Sequence, residues 1–186
     1  MWYDDLDASL PITFFGTMSP MIEHLYILRH GIALPHGTPG VSDDERPLTP
    51  KGESRLREIG RALARLDLDL DSIVTSPLPR AYRTAEIVAD ALNWSEPIEI
   101  VDELRAGTDA GAIREWLRCR MESNLMIVGH NPSLSDLIGL LVVENAHAML
   151  GDLKKGGIAA LTHVGGATDR YEVDWIATPR LLRKLL

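Results

Sequence analysis

Four apolar runs in this sequence are followed by polar side chains of types that can bind anions, transfer protons or act as nucleophiles. The runs are "YIL" at 26–28, "SIV" at 72–74, "IEIV" at 98–101 and "LMIV" at 125–128. An isolated charge or imidazole is costly to bury, so each of these ends must be paired or must face a crevice. The polar residues at or just beyond the four ends are Arg29 with His30, Ser76 with Arg80, Asp102 with Glu103 and Arg105, and His130.

This set of side chains suits phosphoryl transfer. Arginine presents a planar fork of donors that matches a phosphate, and two arginines can neutralise a dianion. One histidine can attack phosphorus and form a covalent phospho-enzyme, while a second, protonated histidine can stabilise charge on the equatorial oxygens. A carboxylic acid can protonate an alkoxide leaving group and then activate water. The chemistry requires that the four ends meet in one pocket.

The pattern between these ends predicts an α/β fold. Thr49 is a predicted N-cap with Pro50 at the first helical position, and further helices are predicted from Pro79 or Arg80 and over 109–121. A nearly all-apolar helix is predicted after Asn131, with Asn131 as its cap. Short apolar runs that alternate with helical patterns favour a mainly parallel sheet with helices on both faces, a three-layer sandwich.

Two further apolar runs close the pattern. They lie at 156–163 and 171–178, and the loop "VGGATDR" between them resembles a hairpin connection, so they can add an antiparallel edge. In sheets of this kind ligands bind at the carboxyl ends of the strands. The four polar ends are therefore expected to share one edge of the sheet.

Composition limits the possible partners. The chain has 186 residues, a net charge of -8 and a pI near 5.2, which favours one domain and disfavours nucleic acid or an anionic membrane surface. No apolar run approaches the roughly 20 residues needed to span a bilayer. The single cysteine, Cys119, excludes an internal disulfide and favours a reducing compartment, the cytoplasm.

The sequence is expected to divide into an extension and one domain. Residues 1–20 carry early acidic residues, and a proline and a glycine interrupt their apolar patch, which does not suit a signal peptide. We expect these residues to be a dispensable N-terminal extension that can be disordered. A single domain is expected to follow at 21–186.

Three motifs resemble the histidine phosphatase superfamily, whose fold is called phosphoglycerate-mutase-like. They are "LRHG" at 28–31, "SPLPRA" at 76–81 and "VGHNP" at 128–132, and the resemblance covers about residues 22–178. The resemblance implies that His30 is the phospho-accepting nucleophile and that Arg29, Arg80 and His130 form the phosphate pocket around it. Glu103 falls where family members often carry the proton donor.

Further stretches are similar to the small phosphohistidine phosphatases of the SixA type. These are "ERPLTPKG" at 45–52, "HNPSL" at 130–134 and "KKGGIAAL" at 154–161, and few residues separate the second and third runs, where larger members insert a lid. The resemblance implies a substrate that carries phosphohistidine on a partner protein, such as a histidine-containing phosphotransfer domain. An imidazole leaving group needs less acid assistance, so the role of Glu103 stays open, and Arg46 is expected to border the pocket.

Several alternatives remain at this stage. The protein can instead be a phosphomonoesterase for small molecules, or a module that binds phosphorylated partners without catalysis; a mutase is disfavoured because the chain is short. Ser76 is interpreted as a turn former, and Lys154 with Lys155 as a solvated turn rather than a docking patch. The spacing of the histidines suits no metal site, and neither a metal nor another cofactor is expected.

Overall fold

The computed structural model describes residues 22–146, 148, 151–165 and 169–186. The N-terminal extension expected at 1–20 lies outside these residues, as does part of the predicted hairpin loop. Within the described part of the chain, no helix is both long enough and apolar enough to cross a lipid bilayer.

Six strands form one sheet, in the order β3-β2-β4-β1-β5-β6. Strands β1 to β4 run parallel to one another, whereas β5 pairs antiparallel with β1 and β6 pairs antiparallel with β5. The mainly parallel sheet with an antiparallel edge is therefore confirmed. The strands are β1 His24–Arg29, β2 Ser72–Thr75, β3 Glu99–Ile100, β4 Asn124–Gly129, β5 Ile158–His163 and β6 Tyr171–Ala177.

Helices cover both faces of this sheet. Helix α1 begins at its predicted cap, since the side chain of Thr49 accepts the N–H of Gly52 at 3.0 Å. Helix α3 is shorter than the predicted span of 109–121, and a single 3₁₀ turn, Asp102–Leu104, follows β3. The helices are α1 Pro50–Ala64, α2 Pro79–Ala91, α3 Ala110–Leu117, α4 Ser133–Val143 and α5 Pro179–Leu182.

Side chains of the central strands point alternately to the two faces of the sheet, where they pack into two hydrophobic cores. On β1, Leu25 and Ile27 pack into the core beneath α3 and α4, whereas Leu28 points into the core beneath α1 and α2. A strand that is buried on both faces reads as a continuous apolar run, which explains the sequence of β4. The three-layer sandwich expected from the sequence is confirmed, and only α2 with short loops connects β2 to β3, so no lid is inserted there.

The start of α4 differs from the prediction. The helix begins at Ser133, with Pro132 in the capping position and no side-chain cap. The side-chain amide of Asn131 donates instead to Oγ of Ser135 at 2.7 Å and to the carbonyl oxygen of Leu153 at 3.3 Å. Asn131 therefore ties the end of β4 to the segment that leads into β5.

Candidate active site

The register of the sheet brings the carboxyl ends of β1, β2 and β4 side by side. Arg29 is paired with Gly129, and Val128 is paired both with Leu28 on one side and with Thr75 on the other. The residues that follow these positions are His30, Ser76 and His130, so parallel pairing alone brings them to one edge of the sheet. Residues that lie about 50 and 100 positions apart in the chain thus become neighbours.

The two histidines lie against each other at this edge. Their ring centroids are 5.0 Å apart, and the ring planes are tilted by 51°. His30 is 5% exposed, His130 is 3% exposed and the neighbouring Arg80 is 2% exposed. Such burial is unusual for an arginine unless its charge is matched.

Burial and hydrogen bonding hold His30 in one neutral form. Its Nδ1 atom lies 2.7 Å from the carbonyl oxygen of Gly31, which can only accept, so Nδ1 carries the proton and Nε2 keeps its lone pair. Burial, with further contributions from Arg80 and Arg29, lowers the pKa of His30 to about 3. A neutral imidazole with a free lone pair is the form that attacks phosphorus.

His130 is oriented by Ser76. Its Nε2 atom lies 2.9 Å from Oγ of Ser76, which also accepts the N–H of Leu78 at 3.3 Å. The buried hydroxyl of Ser76 has no other acceptor among the described residues, so we assign its proton to the bond with Nε2 and the proton of a neutral His130 to Nδ1. Nδ1 of His130 is buried and has no hydrogen-bond partner among the described residues. The ring therefore aims an Nδ1–H donor away from Ser76.

A protonated His130 is expected from the sequence, whereas burial favours the neutral ring. Burial, the adjacent His30 ring and the charge of Arg80 lower the pKa of His130 to about 2. At neutral pH the ring is therefore uncharged before an anion binds, and it acts as a neutral hydrogen-bond donor through Nδ1. A phosphoryl group placed beside it would raise its pKa, because opposite charge favours the protonated form.

Two arginines flank the histidines, and each has an N–H group that is not used in a hydrogen bond with a described residue. The guanidinium of Arg29 donates to the carbonyl oxygen of Leu153 at 2.6 Å, and that of Arg80 donates to the carbonyl oxygen of Asp43 at 2.6 Å. In both arginines Nε is buried and has no partner among the described residues. Buried donors without a partner are rare in proteins, and cationic ones point to an anionic ligand.

A threonine in α2 links the nucleophile loop to Arg80. Oγ1 of Thr84 accepts the N–H of Gly31 at 3.0 Å and donates to the carbonyl oxygen of Arg80 at 2.6 Å. Thr84 is fully buried, so both bonds are shielded from water. Sequence reasoning missed this residue; its only signal is a position one helical turn after Arg80.

The long loop after β1 contributes Arg46 and Asp43. Arg46 donates to Oδ1 of Asp43 at 2.8 Å and to the carbonyl oxygen of Leu34 at 2.7 Å, and it lies close enough to His130 to lower its pKa. Oδ2 of Asp43 lies 3.5 Å from the Arg80 guanidinium. Hydrogen bonds from Arg46 and His36 hold the pKa of Asp43 well below its ordinary value, so it stays charged.

The carboxylates expected after β3 do not join this cluster by any contact. Asp102 and Glu103 are exposed in the 3₁₀ turn, and Arg105 pairs with Asp102 at 2.7 Å and with Asp44 at 3.7 Å. Glu103 forms no hydrogen bond or ion pair with any residue that the structure describes. Strand β3 ends after two residues, and the turn that carries Glu103 packs against Gly129 at the end of β4.

Lys155 lies close enough to His30 to influence its pKa. It occupies the turn before β5, as the sequence predicts, but its charge helps to lower the pKa of His30. Burial and the nearby charges of Arg29, Arg46 and Arg80 lower the pKa of Lys155 itself. A positive cluster thus forms in a chain whose net charge is -8.

No group of three or more histidine, cysteine, aspartate or glutamate side chains in the described ranges is arranged to hold a metal ion. The cations and donors of the cluster instead surround the His30 and His130 rings. Fold and site together define a phosphoglycerate-mutase-like protein with a histidine pair and an arginine pair at the carboxyl edge of its sheet.

Comparison with known proteins agrees with this class. Residues 25–113 match the family model of the histidine phosphatase superfamily (branch 1). The chain is 36% identical to an uncharacterized protein of Picosynechococcus over 74% of the chain and 83% of that protein. It is 30% identical to the phosphohistidine phosphatase SixA of Escherichia coli strain K12, over 64% of the chain and 72% of that protein.

Solved structures share the fold. The protein histidine phosphatase SixA complexed with tungstate superposes with a TM-score of 0.74 at 24% identity, over 84% of this chain and 97% of that one. The alpha-ribazole phosphatase of Shigella flexneri gives a TM-score of 0.65 at 18% identity, over 84% of this chain and 96% of that one. The chain therefore belongs to the histidine phosphatase superfamily and, within it, is of the SixA type.

Proposed function

We propose that this protein is a metal-independent phosphatase that works through a phosphohistidine at His30 and removes phosphoryl groups from histidine on a partner protein. One observation carries the proposal: three buried donors that no described residue partners, Nε of Arg29, Nε of Arg80 and Nδ1 of His130, lie in the cluster that surrounds a neutral His30. These donors suit a tetrahedral anion that is held next to the nucleophile.

In the first step, Nε2 of His30 attacks the phosphorus atom of the substrate. The new P–N bond forms as the P–N bond to the substrate imidazole breaks, and the departing imidazole takes up a proton from solvent. Arg29 and Arg80 balance the charge of the phosphoryl oxygens, while Nδ1–H of His130 donates to one of them. The Gly31 carbonyl stabilises the Nδ1–H of His30 as its ring gains positive charge.

In the second step, water attacks the phosphorus atom of phospho-His30. The P–N bond to His30 breaks, inorganic phosphate leaves and the lone pair returns to Nε2. Because imidazole is a good leaving group once protonated, neither step requires a strong acid at the position of Glu103. An exposed Glu103 that forms no hydrogen bond or ion pair with a described residue is compatible with such a substrate.

Access to the site supports a protein substrate. The chain inserts no lid between β2 and β3, so the carboxyl edge of the sheet remains approachable by a large molecule. A relative at 30% identity carries the name phosphohistidine phosphatase. We place the activity in the cytoplasm, where a free and exposed thiol such as that of Cys119 stays reduced.

The proposal is tested with three substrates and a chelator. A phosphotransfer domain phosphorylated on histidine, an aryl phosphate and a phosphosugar are supplied at equal concentration, and phosphate release is followed with and without EDTA. We expect the phosphoprotein to have the largest kcat/KM and EDTA to have no effect. A higher kcat/KM for the phosphosugar would favour a small-molecule phosphomonoesterase, binding without release would favour a recognition module, and loss of activity in EDTA would overturn metal independence.

A further inference from the structure

A groove beside the histidine pair collects an unusual share of the positive charge of the chain. It encloses about 580 Å³ between α1, α5 and the turn before β5. Six of the 19 lysines and arginines line it, and no described acidic residue does. These six cationic residues are Arg29, Arg55, Lys154, Lys155, Arg180 and Arg183.

Most of these cations are available to a partner. Among the described residues, no hydrogen bond or ion pair engages the side chains of Arg55, Lys154, Lys155 or Arg180, whereas Arg183 pairs with Glu58. Elsewhere on the surface arginines usually face acidic residues, as Arg83 does between Glu53 and Glu86. The chain as a whole has a net charge of -8, but these unpaired cations create a positive electrostatic potential in the groove. Such a potential attracts anionic partners.

The floor of the groove is apolar, and its lining includes the two residues on either side of His30 in the chain. Ile32, Leu56 and Ile59 line it. Gly31, directly after His30, also borders it, and Lys155 both lines the groove and lowers the pKa of His30. A chain segment lying in the groove would therefore contact Arg29 and Gly31, the chain neighbours of the nucleophile.

We infer that this groove, which we call the basic groove, docks an acidic segment of the phosphorylated partner protein next to its phosphohistidine. The inference rests on the proposed function and specifies how the substrate is recognised. Carboxylates of such a segment meet the half-buried Arg55 and the exposed Lys154 and Arg180, and its apolar side chains cover the floor. Complementary charge of this kind raises the association rate and selects the partner more than it adds raw affinity.

The test uses two synthetic peptides that share a phosphohistidine and differ only in a flanking run, which is glutamate in one and glutamine in the other. The enzyme variants are Arg55→Gln/Arg180→Gln and, as a matched control, Arg61→Gln, an exposed arginine of α1 outside the groove. Hydrolysis of an aryl phosphate, which is too small to extend from the active site into the basic groove, reports on the chemistry of the site in each variant.

We expect the wild type and Arg61→Gln to prefer the glutamate peptide by about fivefold or more in kcat/KM at low salt, and the preference to fall as salt is added. The double variant should lose the preference and retain turnover of the aryl phosphate. If the wild type cleaves both peptides equally well, the docking role is overturned while the proposed function stands.

Two other outcomes contradict the inference. If the wild type hydrolyses neither peptide but hydrolyses the aryl phosphate, the phosphohistidine substrate and the docking role fail together. If inorganic triphosphate inhibits the wild type far more strongly than the double variant while both peptides are cleaved alike, the basic groove holds a small polyanion instead of a protein segment.

Discussion

Nε2 of His130 lies 2.9 Å from Oγ of Ser76, across 54 positions of the chain. Both residues are buried, and each ends or follows a strand of the same sheet edge, so the contact is held by the fold rather than by a flexible loop. It leaves the proton of a neutral His130 on Nδ1, where the ring has no other described partner. Ser76, which sequence reasoning treats as a turn former, thereby determines how His130 faces the phosphoryl group.

Replacing Ser76 by alanine is expected to lower kcat/KM by about tenfold to a hundredfold, because it removes a buried hydrogen bond worth roughly 1 to 3 kcal/mol and frees the ring of His130. Kinetics with the aryl phosphate measure the loss, and ¹⁵N NMR of the imidazole reports whether the Nδ1–H tautomer persists. Ser72→Ala, at the start of the strand that Ser76 follows, is the control and should keep both properties. An unchanged rate together with unchanged ¹⁵N shifts in Ser76→Ala would show that Ser76 does not position His130.

Replacing Arg80 by lysine keeps the charge but removes the planar fork. We expect kcat/KM to fall by about a hundredfold or more and inhibition by inorganic phosphate to weaken, since removal of one charge-stabilising donor costs on the order of 3 kcal/mol. Arg83→Lys serves as the matched control on the same helix, because Arg83 pairs with Glu53 and Glu86. Thermal unfolding verifies that both variants fold, and a folded Arg80→Lys enzyme with wild-type phosphate inhibition would argue against a role for the fork.

Replacing Glu103 by glutamine is expected to change the hydrolysis of phosphohistidine by less than about twofold. Glu103 is exposed in the 3₁₀ turn, and a protonated imidazole leaves without help from a strong acid. Asp102→Asn, a neighbouring exposed carboxylate, is the control variant. A fall of more than about tenfold in Glu103→Gln alone would restore the proton-donor role that the family resemblance implies.

The histidine pair is expected to make the fold sensitive to acid. The pKa values of His30 and His130 lie near 3 and 2 in the folded protein, against 6.5 for an unperturbed histidine, so the unfolded chain binds more protons below pH 6.5. Stability is therefore fully present above pH 6.5 and is lost as the pH falls from there towards 3. Each histidine contributes a slope approaching 1.4 kcal/mol per pH unit, so the pair should remove roughly 3 kcal/mol of stability between pH 6.5 and 5.

Urea unfolding of the wild type and of His30→Asn/His130→Asn at several pH values tests this expectation. The slopes of stability against pH are compared, since the absolute stability of the variant also reflects its altered packing. Between pH 6.5 and 5, the free energy of unfolding should change less with pH in the variant than in the wild type. Parallel slopes, or histidine NMR signals that titrate near pH 6.5 in the folded wild type, would contradict neutral buried rings.

Much of the site follows from sequence because strand ends can be located by pattern. Apolar runs locate β1, β2 and β4, and parallel pairing then gathers Arg29, His30, Arg80 and His130 without any knowledge of side-chain angles. The catalytic role of Glu103 stays a prediction, because this residue lies in the 3₁₀ turn after a strand of only two residues and forms no hydrogen bond or ion pair with a described residue.

Other details depend on which partner a polar side chain selects. Asparagine often caps helices, but the side-chain amide of Asn131 bonds instead to Ser135 and to the Leu153 carbonyl. Helix α4 begins two residues after Asn131. Thr84 and Ser76 act through hydrogen bonds to residues more than 50 positions away, and a single sequence carries no signal of such pairs. The residue type determines which hydrogen bonds these side chains can form, whereas tertiary packing determines which partner each of them has.

Trapping the phospho-enzyme tests the central role of His30 most directly. The wild type and His30→Asn are mixed with a phosphohistidine substrate, quenched in alkaline denaturant within a fraction of a turnover and weighed intact by mass spectrometry. The wild type should transiently gain the mass of one phosphoryl group, located on residue 30 by fragmentation, and His30→Asn should gain none. Turnover by the wild type without any such species, or a phosphoryl group on His30→Asn, would contradict the assignment of His30 as the nucleophile.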